Sequence, residues 1–431
     1  LRDFGENGRK TMTSTPEAIA PHGVTITYQR LMDAVFAVFI FSGMIAYIEP
    51  SPYDLLVFLA IPIWFLGGFR IHRVQIVILF PWCIFEISSF LALLPYWDEA
   101  DPRKYQFTSF YLFLTVICFT LFFGERTIGR AKVCLKAYTL GAVIAAILGV
   151  LSYFGFSAFG ISLIYDRVAS TFKDPNVFGS YLILAEAYAL QAFLIGTGWR
   201  RIFSLIALAI LLLGVFVSYS RGSWGASILT LTMVTVLTYV TSESKTTRRQ
   251  IVVMSIVAAG VAALVLIAIL AREDIREFFF QRAALQDYDE GATGRFGNQL
   301  RSIPMLLDHP EGLGPYRFRE FFGLEPHSSY VGAFANDGWI GGFTWISIVL
   351  STSYIGFRLV FVRSPYRELA QVAWPALFAI LLQAFQIDIE HWRQIYLLFG
   401  MVWGFEAARL RWLERQRRLQ EEPKLRRASY V

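Results

Sequence analysis

Apolar runs long enough to cross a bilayer recur from residue 31 to about residue 410, and they leave little room for any other architecture. A helix needs roughly 20 apolar residues to span the hydrocarbon. About twelve segments approach that length: 31–48, 53–69, 74–94, 107–123, 137–156, 177–195, 202–217, 224–240, 251–270, 339–362, 369–385 and 394–410. Inside a bilayer the backbone must satisfy its own hydrogen bonds, which restricts such runs to helices. Apolar residues make up 55% of the chain and charged ones only 17%, so a soluble assembly of domains is excluded. The expected fold is an all-α polytopic membrane protein of about twelve spans. Cys83 and Cys118 lie inside apolar runs and Cys134 at the edge of one, with neither disulfide nor metal-ligand spacing. The formal charge of +6 is spread over the connections, and no nucleic-acid partner is expected.

Basic residues in alternate connections set the orientation. Arg70 and Arg73, Arg126 to Lys136, Arg200 and Arg201, Lys245 to Arg249, and Arg358 to Arg367 fall on one side. Arg411, Arg415, Arg417, Arg418, Lys424, Arg426 and Arg427 follow the last run on that side. The opposite connections are short or acidic, as at Asp98, Glu99 and Asp101. Both termini are therefore expected in the cytoplasm, with an even number of spans. Residues 1–29 read as a polar tail, and with no apolar core of signal-peptide type no cleaved signal is expected there. Residues 30–270 carry nine spans, 271–338 form a long outer loop, 339–411 carry three spans, and 412–431 form a basic tail. That loop is too long for a plain connector, and its stretches 274–285 and 296–307 are compatible with helices.

Polar chemistry concentrates on the outer side. Before the sixth run, Arg167 and Lys173 are cations against the orientation trend, and Asp174-Pro175-Asn176 is a helix-start signal. Asp174 or Asn176 would cap, and a helix N-terminus offers N–H groups to an anion. Taken alone, this stretch reads better as a cap with a headgroup-facing lysine. Ser218 to Ser223 joins two runs almost without a loop and pins Arg221 at the membrane boundary, where a guanidinium needs an anion or carbonyl. Ser220 adds a donor, and Gly222 permits close backbone approach. A snorkelling arginine on a lipid phosphate is the bland alternative. In the long loop, Gly294-Arg295-Phe296-Gly297 opens a helix that also carries Arg301, and Glu311 to Pro315 forms a turn. His327 precedes Tyr330, Val331 and Phe334 at helical spacing, which predicts His327 on a short surface helix broken at Asn336-Asp337-Gly338. His309 lies in a Pro/Gly turn and reads as structural, while His391, after Asp388 and Glu390, is a second candidate base. Glu86 and Glu186 sit within apolar runs, where a function and a hydrogen bond to a neighbouring helix are equally open readings.

Taken together, Asp174 to Gly179, Ser218 to Gly222, Gly312-Leu313-Gly314 and His327 to Tyr330 through Asp337-Gly338 resemble the O-antigen ligase/polymerase family of bacterial membrane glycosyltransferases. Order and spacing agree from about Arg167 to Gly342. Ser328 stands where that family commonly has Asn, and Asp337 where it commonly has Glu. The resemblance implies a C-type glycosyltransferase fold in the bacterial inner membrane with a periplasmic site and neither metal nor other cofactor. It implies an undecaprenyl-pyrophosphate-linked glycan as donor and a sugar hydroxyl as acceptor, on lipid A–core for a ligase or on another lipid-linked repeat for a polymerase. A complex with polysaccharide chain-length or flippase proteins is a further expectation. His327 falls on the family's catalytic histidine, and Arg221 and Arg295 on its pyrophosphate-binding arginines. Arg167, Lys173 and Arg301 are added candidates for the pyrophosphate, supported by Asp174, Asn176, Ser220, Gly222, Tyr330 and Asp337. Arg301 and Gly312 fit an arginine–ten residues–glycine spacing described for polymerases, a lean towards polymerisation of an O-antigen or exopolysaccharide.

A transporter or a flippase of lipid-linked sugars is the alternative class. A transporter of this size predicts repeat symmetry and midplane breaks, and a flippase predicts a cationic cavity running through the bundle. No repeat stands out in the sequence, and its ionisable cluster lies towards one face.

Overall fold

The computed structural model describes residues 27–156, 163–164, 166–284, 289, 291 and 294–428. Expectations for the tail up to residue 26, parts of the 157–176 and 271–338 connections, and the side chains of Lys424, Arg426 and Arg427 lie outside the described residues.

Every apolar run is helical. In chain order these are α1 (Tyr28–Ser42), α2 (Pro52–Leu66), α3 (Arg73–Leu93), α4 (Ala100–Phe122), α5 (Thr127–Tyr153), α6 (Pro175–Ile195), α7 (Gly198–Val217), α8 (Arg221–Thr241) and α9 (Lys245–Leu270). The long loop contributes α10 (Glu273–Ala283), α11 (Arg295–Asp308) and α12 (Phe318–Phe322). It is followed by α13 (Ser329–Phe361), α14 (Arg367–Gln383) and α15 (Arg393–Ala428). A two-residue hairpin, β1 (Leu163–Ile164) and β2 (Arg167–Val168), precedes α6. The chain is thus an all-α multi-pass membrane protein. Among the described residues, eight helices are long and apolar enough to cross a membrane: α3 to α9 and α13. Helices α1 and α2 have 15 residues and α14 has 17, so they rise only about 22–26 Å. Helix α15 runs for 36 residues and carries the basic segment as a helical extension.

Burial separates centre from periphery. Helix α6 is 89% buried along its most apolar window, whereas α9 is only 6% buried. A helix apolar on all sides belongs either in a packed interior or against lipid. Here α6 takes the first place and α9 the second. The carboxyls within the bundle have neighbours: Glu186 accepts from Ser227 at 2.6 Å and Glu86 from Gln106 at 3.1 Å. The bland reading of these two acids therefore fits what surrounds them. Away from the site end, Glu406 accepts from Arg409 Nη2 and Nε (2.7 and 2.9 Å) and also pairs with Arg358.

Helix α13 is broken where the sequence predicts, but by one residue. Gly338 has φ 70° and ψ −171°, a conformation essentially restricted to glycine. The break receives the turn before α12. Leu313 N–H donates to Ala335 O (2.6 Å), and Trp339 N–H donates to Pro310 O (2.9 Å). Gly312 (φ 85°) lies so close that a Cβ would sit 2.6 Å from Gly338 N. A Cβ on Gly338 would sit 2.6 Å from Pro310 O. Gly338→Ala is therefore expected to destabilise the protein by roughly 1–3 kcal/mol or more, seen as a lower unfolding temperature in detergent.

Candidate functional site

The N-termini of α6, α8, α11 and α13 and the C-terminus of α14 converge at one end of the bundle. Each start has a local cause. Asp174 caps α6 by accepting Asn176 N–H at 2.6 Å, with Pro175 at the first helical position. Ser220 caps α8 by accepting Ser223 N–H at 3.3 Å. Gly294 precedes α11, and Ser328 caps α13 by accepting Val331 N–H at 3.4 Å.

These starts surround a cavity of about 410 Å³ lined by Arg167, Asn176, Ser220, Arg221, Gly222, Arg282, Arg295, His327, Gln383, Gln386 and Ile387. Arg167, on β2, donates to Asn176 Oδ1 (2.8 Å) and Ser218 O (3.1 Å). Arg221 opens α8, donates to Ala284 O at 2.9 Å and pairs with Asp289. Arg295 opens α11, donates to Gln386 O at 3.2 Å and lies 3.5 Å from the other oxygen of Asp289. The buried Asp289 carboxylate thus bridges two of the arginines. Gly222 faces Gln383 so closely that a Cβ would lie 2.7 Å from its amide nitrogen.

His327 is not on the helix the spacing predicts. It precedes the cap, with φ 48°. A non-glycine residue in that region is strained and persists where its surroundings fix it. Here the His327 and Ser328 N–H groups donate to the two oxygens of Asp388, at 3.1 and 2.9 Å. Gln299 donates to the carbonyls of Pro326 (2.9 Å) and His327 (3.1 Å). The backbone is held on both sides, which aims the imidazole into the cavity. Its Nδ1 lies 3.7 Å from Asp388.

Burial, followed by the positive field of Arg295, holds the imidazole below its ordinary pKa, while Asp174 and Asp289 pull it back up. The neutral ring, the form able to accept a proton, therefore persists to lower pH. Removing Arg295 raises this pKa. If His327 is the base, Arg295→Gln is expected to move the acidic limb of the pH–rate profile to higher pH, as read from initial rates across the acidic range.

The remaining candidates lie elsewhere. Lys173 reaches away to Glu49 (2.6 Å). Arg301 is exposed, nearly two turns along α11, with Asn298 Oδ1 at 3.5 Å. The Tyr330 hydroxyl donates to Leu381 O at 2.9 Å, and its ring stacks on Phe385. Asp337 accepts from Ser89 at 2.6 Å behind the Gly338 break. None of the four lines the cavity. His391, the second candidate base, packs on Tyr105 and meets Ser109 Oγ at 3.0 Å, also outside it. His309 pairs with Glu311 in its turn, as a structural role requires.

The sequence reading missed Arg282, Gln383, Gln386 and Ile387 in the lining, and Asp289 and Asp388 as partners of its charged groups. Only Asp388 carried a signal, an acid beside another acid and a histidine. Among the described residues no group of three or more His, Cys, Asp or Glu is arranged to hold a metal ion.

Fold and cavity define a class: a multi-pass helical membrane protein with an arginine-rich cleft and an imidazole at one end of its bundle. Residues 206–346 match the family model described as O-antigen ligase, which supports the O-antigen ligase/polymerase family for this chain. The matched stretch contains Arg221, Arg282, Arg295 and His327, but neither Arg167 nor Asp388. No curated protein matches the chain.

Proposed function

We propose that this protein transfers a glycan from a lipid pyrophosphate, of the undecaprenyl type, to a sugar hydroxyl on the periplasmic face of the inner membrane. The observation that carries this reading is the convergence of Arg167, Arg221, Arg282 and Arg295 on one cavity with His327. A departing pyrophosphate needs cations, and guanidinium groups bind phosphate oxygens in pairs while staying charged. In this mechanism His327 takes the acceptor's hydroxyl proton. The hydroxyl oxygen then attacks the anomeric carbon from the face opposite the leaving group. The bond from that carbon to the pyrophosphate oxygen breaks, and its electron pair leaves with the lipid diphosphate. The sugar inverts, and the arginines supply the countercharge without a metal. Asp289, which now balances two of them, yields to a more highly charged diphosphate.

A lipid donor also needs an apolar berth. One lies beside the cleft: a cavity of about 290 Å³ between α7, α8 and α9, lined by residues such as Leu212, Phe216, Trp224, Val261 and Val265. Trp224 is one turn from Arg221 on α8. An isoprenoid chain entering from the bilayer would sit there with its diphosphate at the arginines. The arginine-lined cavity lies at one end of the bundle, which favours transfer at a surface over passage of a substrate through the centre.

The test is reconstitution of the purified protein with a lipid-pyrophosphate glycan and two acceptors offered separately. Longer lipid-linked chains identify a polymerase, and transfer to lipid A–core identifies a ligase. Movement of the donor across the bilayer without bond formation overturns the reading. Gly312 packs on the α13 break and Arg301 lies off the cleft, so the lean towards polymerisation rests on their spacing alone.

A further inference from the structure

A second polar cavity, of about 480 Å³, adjoins the arginine cleft, and the proposed reaction leaves it without a role. Its walls include Tyr153 and Phe154 at the end of α5, Asp166 in the hairpin, and Arg272, Asp274 and Phe278 around the start of α10. We infer that it is a carbohydrate subsite, holding sugar units of a glycan whose reacting end lies in the arginine cleft. This inference rests on the proposed transfer reaction and specifies where its substrate lies.

Three connections join the two cavities. Asp166 and Arg167 are consecutive, and each lines a different one. The Tyr153 hydroxyl is hydrogen-bonded at 2.7 Å to that of Tyr219, which belongs to the turn that delivers Arg221. Phe278 and Arg282 lie one turn apart on α10, on the same face. The hairpin, the α7–α8 turn and α10 therefore form a shared partition.

The chemistry of the walls suits a saccharide. Pyranose rings present flat C–H faces that pack on aromatic rings, and a rim of hydroxyls that donate to carboxylates and accept from guanidinium groups. Phe278 stands edge-on against Tyr219 at 4.5 Å, which fixes the aromatic wall. Asp274 is held by Arg272 through both oxygens, at 2.6 and 3.2 Å. Asp166 stands exposed at φ 58°, at a turn that presents its carboxylate. Ligand pockets of this size typically combine an apolar wall with a few directed polar groups.

The sugars could come from the donor or from the acceptor, and the experiment separates these sources. Asp166→Asn, which tolerates the left-handed backbone, and Arg272→Gln are combined, leaving the arginine cleft and the tyrosine pair intact. Initial rates are measured in vesicles with a donor bearing one sugar, a donor bearing a full repeat, and a matched oligosaccharide acceptor. Losing charge-assisted contacts is expected to raise the KM of one glycan substrate by about tenfold with kcat unchanged. A rise confined to the long donor assigns the subsite to the donor. A rise for the acceptor assigns it to the acceptor. Unchanged KM values for all three overturn the inference, as does an effect that appears only when the zwitterionic lipid of the vesicles is changed.

Binding of the water-soluble oligosaccharide, released from the same donor by mild acid, is measured in parallel. If wild-type protein transfers nothing, the reaction reading fails. The subsite then stands or falls on saturable binding that the double variant weakens.

Discussion

Replacing His327 with alanine is expected to slow glycan transfer by about 10²–10⁴-fold, the range a positioned general base contributes. A sugar hydroxyl is a poor nucleophile, and the proton it sheds must go to a group already in place. The imidazole occupies a left-handed backbone position that Asp388 and Gln299 fix from opposite sides. Such a position is costly to maintain, and the convergence of outside contacts on it points to a role for the side chain. Because alanine removes the base and leaves the arginines, kcat should fall while the donor KM changes little. Saturation kinetics in vesicles, with membrane insertion and thermal stability measured alongside, provide the check. A His327→Ala protein that inserts normally and keeps its wild-type kcat would remove His327 from the mechanism.

Arg221→Ala should cost about 10²–10³-fold in rate, as does the loss of one preorganised electrostatic contact at a developing charge. Arg221 lies at the first position of α8, so the helix N-terminus adds its own partial positive charge beside the guanidinium. Its pairing with Asp289 keeps it oriented when no diphosphate is present. Alanine also leaves the buried Asp289 with less countercharge, so part of the loss is expected to be recovered in Arg221→Ala/Asp289→Asn. Arg221→Lys should recover only a fraction, because an ammonium is a point charge that cannot engage two phosphate oxygens in a plane. Initial rates of the three variants at saturating donor check this ordering. Full activity in Arg221→Ala would show that the leaving group is neutralised elsewhere.

Much of this was legible in the sequence, and for specific reasons. Hydropathy alone located the twelve helices that hold the apolar runs, since an apolar run in lipid has few options other than a helix, but of about twelve expected spans only α3 to α9 and α13 are, among the described residues, long and apolar enough to cross. It overstated the length of α1 and α2, because apolar residues such as Ile45 and Phe69 continue past helix ends set by glycine, here Gly43 and Gly67, and it placed α14 two residues late at the right length. The cleft was legible where chain neighbours define it, at Asp174 to Asn176 and at Ser220 to Gly222. Contacts that close only in space were hidden. Asp388 meets His327 across the docking of the α14–α15 connection, and Arg282 joins the lining from α10. Lys173 and Arg301 show the opposite error. Both lie close in sequence to genuine lining residues, but side-chain direction turns one towards Glu49 and the other off the cleft. His327 was placed on a helix because helical spacing begins there, whereas Ser328 caps the helix and leaves the histidine outside it.

The central claim is that the arginines hold the departing diphosphate while His327 faces the carbon under attack. A structure of the protein in lipid nanodiscs with a non-hydrolysable lipid-pyrophosphate sugar tests it most directly. Diphosphate oxygens are expected on Arg221 and Arg295, the lipid chain between α7, α8 and α9, and the His327 ring on the side of the anomeric carbon away from the diphosphate. Diphosphate density outside this cleft, or an imidazole on the leaving-group side, would contradict it.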